Sequence, residues 1–224
     1  MDAPTATHAT KAGDGDSKRA RILDAAEALF AIHGYDGVTL RQIAAKAGVD
    51  VALPNYHFGP KRDVFDAVVS RRATILNDMR REALERCCAE AAPAAPSLEQ
   101  IIEAFLRPLE VAQEKADTGW RNYLALVAYI NSSPVWGRDV MSKHFNPLVS
   151  RFIDALRAAL PGAKPAHVYW CYQHLSGSLS LTLARTGRID ALSGGLARAD
   201  DFKTAYDTMI PFVCAGFRAV CKSR

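Results

Sequence analysis

Apolar residues recur along this chain at three- and four-residue intervals, and no stretch alternates with the two-residue rhythm of a strand. Ile22, Ala26, Leu29, Phe30 and His33 form one helical stripe. The stripe predicts a helix over 18–33, with Ser17 as its cap and Gly34 as its end. Leu40, Ile43, Ala44 and Ala47 predict a second, opened by Thr39 and closed by a left-handed Gly48. Asp50 opens a third through His57, which Gly59 and Pro60 stop. A long fourth helix runs over 61–90 with Phe65, Val68, Ile75, Met79 and Ala83 on one side. Its paired arginines, Arg71-Arg72 and Arg80-Arg81, read as solvated faces.

The alanine- and proline-rich run at 91–96 breaks the pattern. Ser97 then caps a helix reaching about residue 115, with Ile101, Ile102, Phe105, Leu106 and Leu109 inward and a kink at Pro108. Residues 119–130 are apolar nearly all round, which predicts a buried helix. Further helices follow over 140–160, 165–186 and 201–221, with 188–199 as a loop. Pro147 lies early in the first of these, and Pro211 bends the last. The chain is therefore all-α, with about nine helices. Three form a head at 17–62 and six form a larger unit at 63–224, behind a tail at 1–16 whose composition predicts disorder.

Residues 39–62, TLRQIAAKAGVDVALPNYHFGPKR, organise the head. Two short helices joined at a glycine turn make a helix-turn-helix, whose second helix suits the major groove of DNA. Charge supports this placement. Between Ser17 and Arg62 stand seven basic residues (Lys18, Arg19, Arg21, Arg41, Lys46, Lys61, Arg62) and four acidic ones (Asp24, Glu27, Asp36, Asp50), 7 − 4 = +3 of the chain's +4. A basic head on a near-neutral body fits a phosphate-binding surface.

The same block resembles the DNA-binding domain of the tetracycline-repressor (TetR) family. Thr39, Arg41, Ile43, Ala44, Ala47, Gly48, Val49, His57, Phe58 and Lys61 stand in register with that family's pattern, and AEALFAIHGYDGVT before it also matches. Asp50, Pro54 and Asn55 depart from it. Proline is tolerable at 54 only within the first turn of its helix. Farther on, SLEQIIEAFLRP, FNPLVSRFIDALRAALP and LSGSLSLTLA resemble the fatty-acid-responsive PsrA-type branch. The resemblance implies a homodimer on a palindromic double-stranded DNA operator, acting in the bacterial cytoplasm at the nucleoid. It further implies a repressor released by a small hydrophobic effector, a fatty acid or acyl-CoA.

Candidate DNA-binding residues follow from chemistry and position. Thr39, Arg41, Tyr56, His57 and Lys61 carry polar or charged tips suited to phosphates, and Arg41 also reaches a guanine edge. Val51, Ala52, Leu53 and Asn55 are the base readers; Asn55 can pair with adenine and the apolar three with thymine methyls. So apolar a reading helix leaves part of its specificity to DNA shape. Phe58 is assigned to the core. Trp120, Tyr123, Leu124, Val127, Phe152, Tyr172 and Leu175 are candidates for an apolar pocket. Arg121, Asn122, Gln173 and His174 are candidates for a polar headgroup. Gly177, Ser180, Phe202, Tyr206, Met209, Val213 and Phe217 are candidates for the dimer interface, with the chain's own core as the competing use. His33 is read as a packed or half-exposed core histidine.

No metalloprotease, nucleophile-elbow or P-loop motif occurs, so no enzyme, cofactor or metal site is expected. Five scattered cysteines with no CxxC pair argue for a reducing compartment, although adjacent Cys87 and Cys88 invite a redox reading. No run is long and apolar enough for a membrane helix. A DNA-binding regulator that needs no effector stays open as the alternative.

Overall fold

The computed structural model describes residues 9–114 and 118–222, and every regular element among them is an α-helix. Eleven follow in order: α1 (Ala9–His33), α2 (Leu40–Ala47), α3 (Leu53–Phe58), α4 (Lys61–Ala91), α5 (Leu98–Glu114), α6 (Thr118–Ser132), α7 (Gly137–His144), α8 (Asn146–Ala159), α9 (Pro165–Ala184), α10 (Arg188–Ser193) and α11 (Phe202–Val220). The all-α expectation holds, and the count rises from nine to eleven for two local reasons. Pro147 has no N–H to give to the interior of a helix, so it stands in the first turn of α8 and the expected helix over 140–160 becomes α7 and α8. The expected loop at 188–199 contains α10, bounded by Gly187 at φ 69° and Gly194 at φ 63°.

The expected disordered tail is also revised. Residues 1–8 lie outside the described ones, but the chain is helical from Ala9. Ser17 therefore sits inside α1 and caps nothing. No proline lies between Ala9 and Ser17 to stop a helix already nucleated farther on.

The chain forms two compact units, one ending at Arg71 and the other beginning at Arg72. In the first, Ile22, Ala26 and Phe30 of α1, Val38 before α2, Ile43 and Ala44 of α2, and Val64, Phe65, Val68 and Val69 of α4 make the core. Phe65 meets Phe30 edge-on at 5.0 Å and Tyr35 at 5.1 Å. Such pairs add to the apolar burial. At the end of this unit Arg71 clamps α1, with bonds of 2.8 Å to the buried Glu27 and 2.7 Å to Asp24. His33 is exposed, so the expected core placement fails. It is the last residue of α1, and the apolar stripe ends one turn before it.

In the second unit α11 lies against α5 and α9, and α6 packs along α9. Ser97 and Gln100 close a capping box at α5, with bonds of 2.8 and 3.2 Å. Phe105 of α5 meets Phe152 of α8 at 5.1 Å and Tyr172 of α9 at 6.1 Å. Along α4 the buried positions are Val69, Ala73, Leu76, Arg80, Leu84 and Cys87, while Ile75 is exposed. The solvated-face reading thus fails for Arg80, which is buried, and for Arg71, whose guanidinium is paired. Arg72 is half-buried with its guanidinium 5.1 Å from the Trp120 ring centroid.

Candidate functional site

Thr39 sets the start of α2. Its hydroxyl oxygen accepts the Gln42 N–H at 3.3 Å, and the Gln42 side chain accepts the Thr39 N–H at 2.8 Å. Gly48 ends α2 at φ 62°, and its N–H donates to the Ala45 carbonyl. The Arg21 guanidinium donates to the carbonyls of Ala47 and of Gly48, the latter at 2.7 Å. A Cβ at residue 48 would lie 2.9 Å from that guanidinium. The turn therefore needs glycine for its left-handed backbone, while the end of the flexible Arg21 side chain can shift to make room.

Asp50 accepts the Ala52 N–H at 2.9 Å through its side chain, and α3 begins at Leu53, slightly later than expected. Pro54 falls in the first turn of α3 and is buried, the position where a proline costs least. The six residues of α3 present Asn55 and Tyr56 to solvent, with Tyr56 80% exposed. Val51 and Ala52 are exposed just before the helix, while Leu53 and His57 are half-buried. Phe58, expected in the core, is half-buried under the Arg19 guanidinium, 5.0 Å from the ring centroid.

The cations divide into two groups. Lys61 donates to the Tyr35 carbonyl at 2.9 Å and stands 4.3 Å from the Tyr35 ring centroid. It braces the start of α4 against the α1–α2 turn, and two of its three N–H groups remain for a phosphate. Arg41, Lys46 and Arg62 are exposed and make no hydrogen bond or ion pair with any described residue. Lys46 and Arg62 are absent from the sequence-derived contacts. Their signal was the charge count, which marks a basic surface without saying which cations the fold engages.

In the second unit, Trp120, Tyr123, Leu124, Phe152 and Leu175 are buried and Val127 and Tyr172 half-buried. Ring contacts such as Trp120–Tyr123 at 5.8 Å bind these aromatics into core. Of the seven, Leu124 lines a cavity of about 230 Å³, which Arg121 also borders. Gln173 and His174 are exposed. The expected dimer stripe is largely the chain's own core. Tyr206, Met209, Val213 and Phe217 are 8% exposed or less within one chain. The α11 stripe faces α5 and α9, which already provide apolar cover. Ser180 is half-buried and accepts a bond from Asn131 at 2.7 Å, and Phe202 is half-buried, while Gly177 is exposed. The exposed large apolar residues of these helices are instead Tyr169, Trp170 and Leu181 on α9 and Phe212 and Val220 on α11.

Burial and the neighbouring Cys88 push the Cys87 thiol up to about 11, so it stays protonated at neutral pH. A redox sensor needs the opposite shift.

A helix-turn-helix with an exposed reading helix, set ahead of a larger helical unit, is the build of a DNA-binding regulator. Residues 22–68 match the family described as Bacterial regulatory proteins, tetR family, and residues 103–216 match Tetracyclin repressor-like, C-terminal domain. The chain belongs to the TetR family of transcriptional regulators, and not to a class of enzymes. It is similar to the HTH-type transcriptional regulator SrpR of Pseudomonas putida, 41% identical over 61 residues, 27% of this chain and 29% of that protein. The similarity thus spans under a third of that relative's length. SmeT, the repressor of the Stenotrophomonas maltophilia multidrug efflux pump SmeDEF, shares the fold at TM-score 0.58 and 21% identity, over 88% of each chain. The fatty acid degradation regulator FadR from Bacillus halodurans does so at TM-score 0.54 and 17% identity, over 86% of this chain and 94% of that one. Among the described residues no helix is long and apolar enough to cross a membrane.

Proposed function

We propose that this chain is a dimeric repressor, acting on a palindromic operator in the bacterial cytoplasm and released by a small hydrophobic effector. The observation that carries the reading is the exposed set around α2 and α3: Thr39, Arg41, Asn55 and Tyr56, flanked by Lys46 and Arg62 with no protein acceptor. Backbone phosphates satisfy such cations, and Asn55 and Val51 read base edges. One six-residue helix reads few base pairs, so a second copy is required, with half-sites about 34–36 Å apart or a multiple of it. The exposed faces of α9 and α11 supply that contact. Leu181 and Phe212 provide apolar area, and Gly177 and Gly216 have open space above them. A fatty acid or acyl-CoA fits the apolar interior of the second unit, and the fold is shared with the Bacillus halodurans fatty acid degradation regulator.

The tight packing of most expected pocket residues favours one other reading, a regulator that needs no effector. A gel shift with the DNA flanking the chain's own gene separates the two. Retardation that falls on adding long-chain acyl compounds supports the first, and retardation indifferent to every acyl compound supports the second. No retardation of that DNA at low salt would remove it as the operator. Replacing Phe212 with Glu should leave a monomer in light scattering; a dimer that persists unchanged would move the interface elsewhere.

A further inference from the structure

Two charged side chains are buried among the described residues, Glu27 and Arg80. Glu27 has the Arg71 guanidinium at 2.8 Å. Arg80 has no carboxylate partner among the described residues. Its one hydrogen bond there runs from Nε to the Phe105 carbonyl at 2.8 Å, and the guanidinium lies 3.9 Å from the Phe105 ring centroid. That bond ties α4 to α5. It engages one of five N–H donors. The four on the terminal nitrogens meet no acceptor among the described residues.

The titratable groups near enough to act on Arg80 are the phenols of Tyr172, Tyr123 and Tyr206, neutral at neutral pH, with no Asp or Glu among them. Burial pushes the guanidinium down to about 10, so it remains a cation at neutral pH. The Tyr206 hydroxyl donates to Gln113 Oε1 at 3.2 Å, while Gln113 Nε2 is buried with no hydrogen-bond partner. Gln113 thus holds a buried donor with no acceptor, near a buried cation that has no carboxylate partner among the described residues. Natural interiors rarely leave such groups unmet, and a buried cation without a partner is costly. The missing group is an acceptor with negative charge.

A cavity lies beside Gln113, whose Oε1 accepts from Tyr206, one of the phenols near Arg80. The 230 Å³ cavity there has Leu124, Leu183 and Phe202 as its apolar wall and Arg121 and Arg185 on its border. Asp200, the one acid on that border, is held by Arg198 at 2.9 Å. The local field therefore favours an anion.

We propose that Arg80 and Gln113 form an anion receptor inside the C-terminal unit, and that the effector is an amphiphilic carboxylic acid. The carboxylate takes the terminal fork of Arg80 in a two-bond pairing and accepts from Gln113 Nε2. Its hydrocarbon lies along Leu124, Leu183 and Phe202. This deepens the effector reading and rests on it. Arg80 is a residue of α4, the helix whose first turns fold with the DNA-reading unit, so the acid acts directly on the element both units share.

The test is calorimetric titration of the full chain with dodecanoate and with dodecan-1-ol, which share a tail and differ in charge. The wild type should bind the acid at least tenfold more tightly than the alcohol. Arg80→Met, which keeps the apolar stem, should abolish that preference and leave alcohol binding unchanged. Gln113→Leu should weaken the acid severalfold and spare the alcohol, and it serves if Arg80→Met does not fold. A wild type that binds the alcohol as tightly as the acid overturns the receptor and leaves an apolar effector standing. So does an Arg80→Met variant that binds dodecanoate like the wild type. If neither compound binds the wild type, the effector reading falls and the receptor falls with it.

Discussion

The two units handle charge in opposite ways. Among the described residues, the DNA-reading unit leaves Arg41, Lys46 and Arg62 in water, each without a protein partner, and its one buried charge, Glu27, is paired with Arg71. The C-terminal unit ties many of its surface charges into pairs, such as Arg107–Asp207 at 2.6 Å and Arg151–Glu85 at 3.0 Å, yet buries Arg80 with no carboxylate partner among the described residues. The difference follows the size of the target. A duplex is too large to enclose, so its phosphates must be met by cations that stay hydrated until contact and then displace counterions. A small acid can be enclosed, and a charge recognises it best where water is excluded.

The largest effect that would sharpen this contrast lies in the head's core. Phe30→Ala removes a fully buried ring packed on Phe65 and Tyr35, and should cost about 3–5 kcal/mol in denaturant unfolding. A loss below about 1 kcal/mol would mean the ring is not the keystone of the head. Next comes the exception to the contrast, the head's own buried charge. Arg71→Met strips Glu27 of its guanidinium and should cost about 3 kcal/mol, the low end for a broken buried pair because Arg71 keeps 27% exposure. A variant as stable as the wild type would show that other partners carry Glu27.

The exposed cations come third. Arg41→Ala should weaken operator binding by about 1–3 kcal/mol if it pairs with a guanine. If Arg41 meets only phosphate, the loss should be uniform across sequences and the salt slope should fall by about one. Unchanged affinity and slope would remove Arg41 from the interface. Thr39→Ala deletes the cap of α2 and should cost about 1 kcal/mol of stability, readable as a fall in thermal midpoint.

The smallest effect is a pH dependence in the C-terminal unit. Hydrogen bonds from Lys203 and Arg107 hold the Asp207 carboxyl below the usual aspartate range. Its folded value is lower than its unfolded one, so its contribution is full above about pH 4 and fades as pH falls through the folded value. The thermal midpoint should drop between about pH 5 and pH 3, and Asp207→Asn should drop less. An equal drop in both would assign the acid sensitivity to other carboxylates.

The head was legible because a short-range code specifies it. Thr39 with Gln42, Gly48 and Pro54 each fix a local geometry within a few residues, and the structure shows each where that geometry requires it. The reading was less secure for side chains whose roles depend on distant partners. Lys61 looked like a phosphate ligand, yet its ammonium also meets Tyr35, 26 residues earlier. The apolar stripe of α11 was equally plain in sequence, but periodicity cannot say whether α5 and α9 or a second chain will cover it. Arg80 is the sharpest case. It stands among Val69, Ala73, Leu76, Leu84 and Cys87, each a helical turn from the next, and that register alone placed it inside. Its formal charge argued for water.

By itself the sequence determined the all-α class, the turn chemistry of residues 39–62 and the family, because caps, prolines and three-to-four spacing act over one or two turns. Only the tertiary structure decided which cations are free and which residues of α11 are core. It also decided that Arg80 is buried with no carboxylate partner among the described residues. Those facts depend on what lies across the fold, tens of residues away in sequence, and a charge takes its meaning from the medium and the neighbours that surround it.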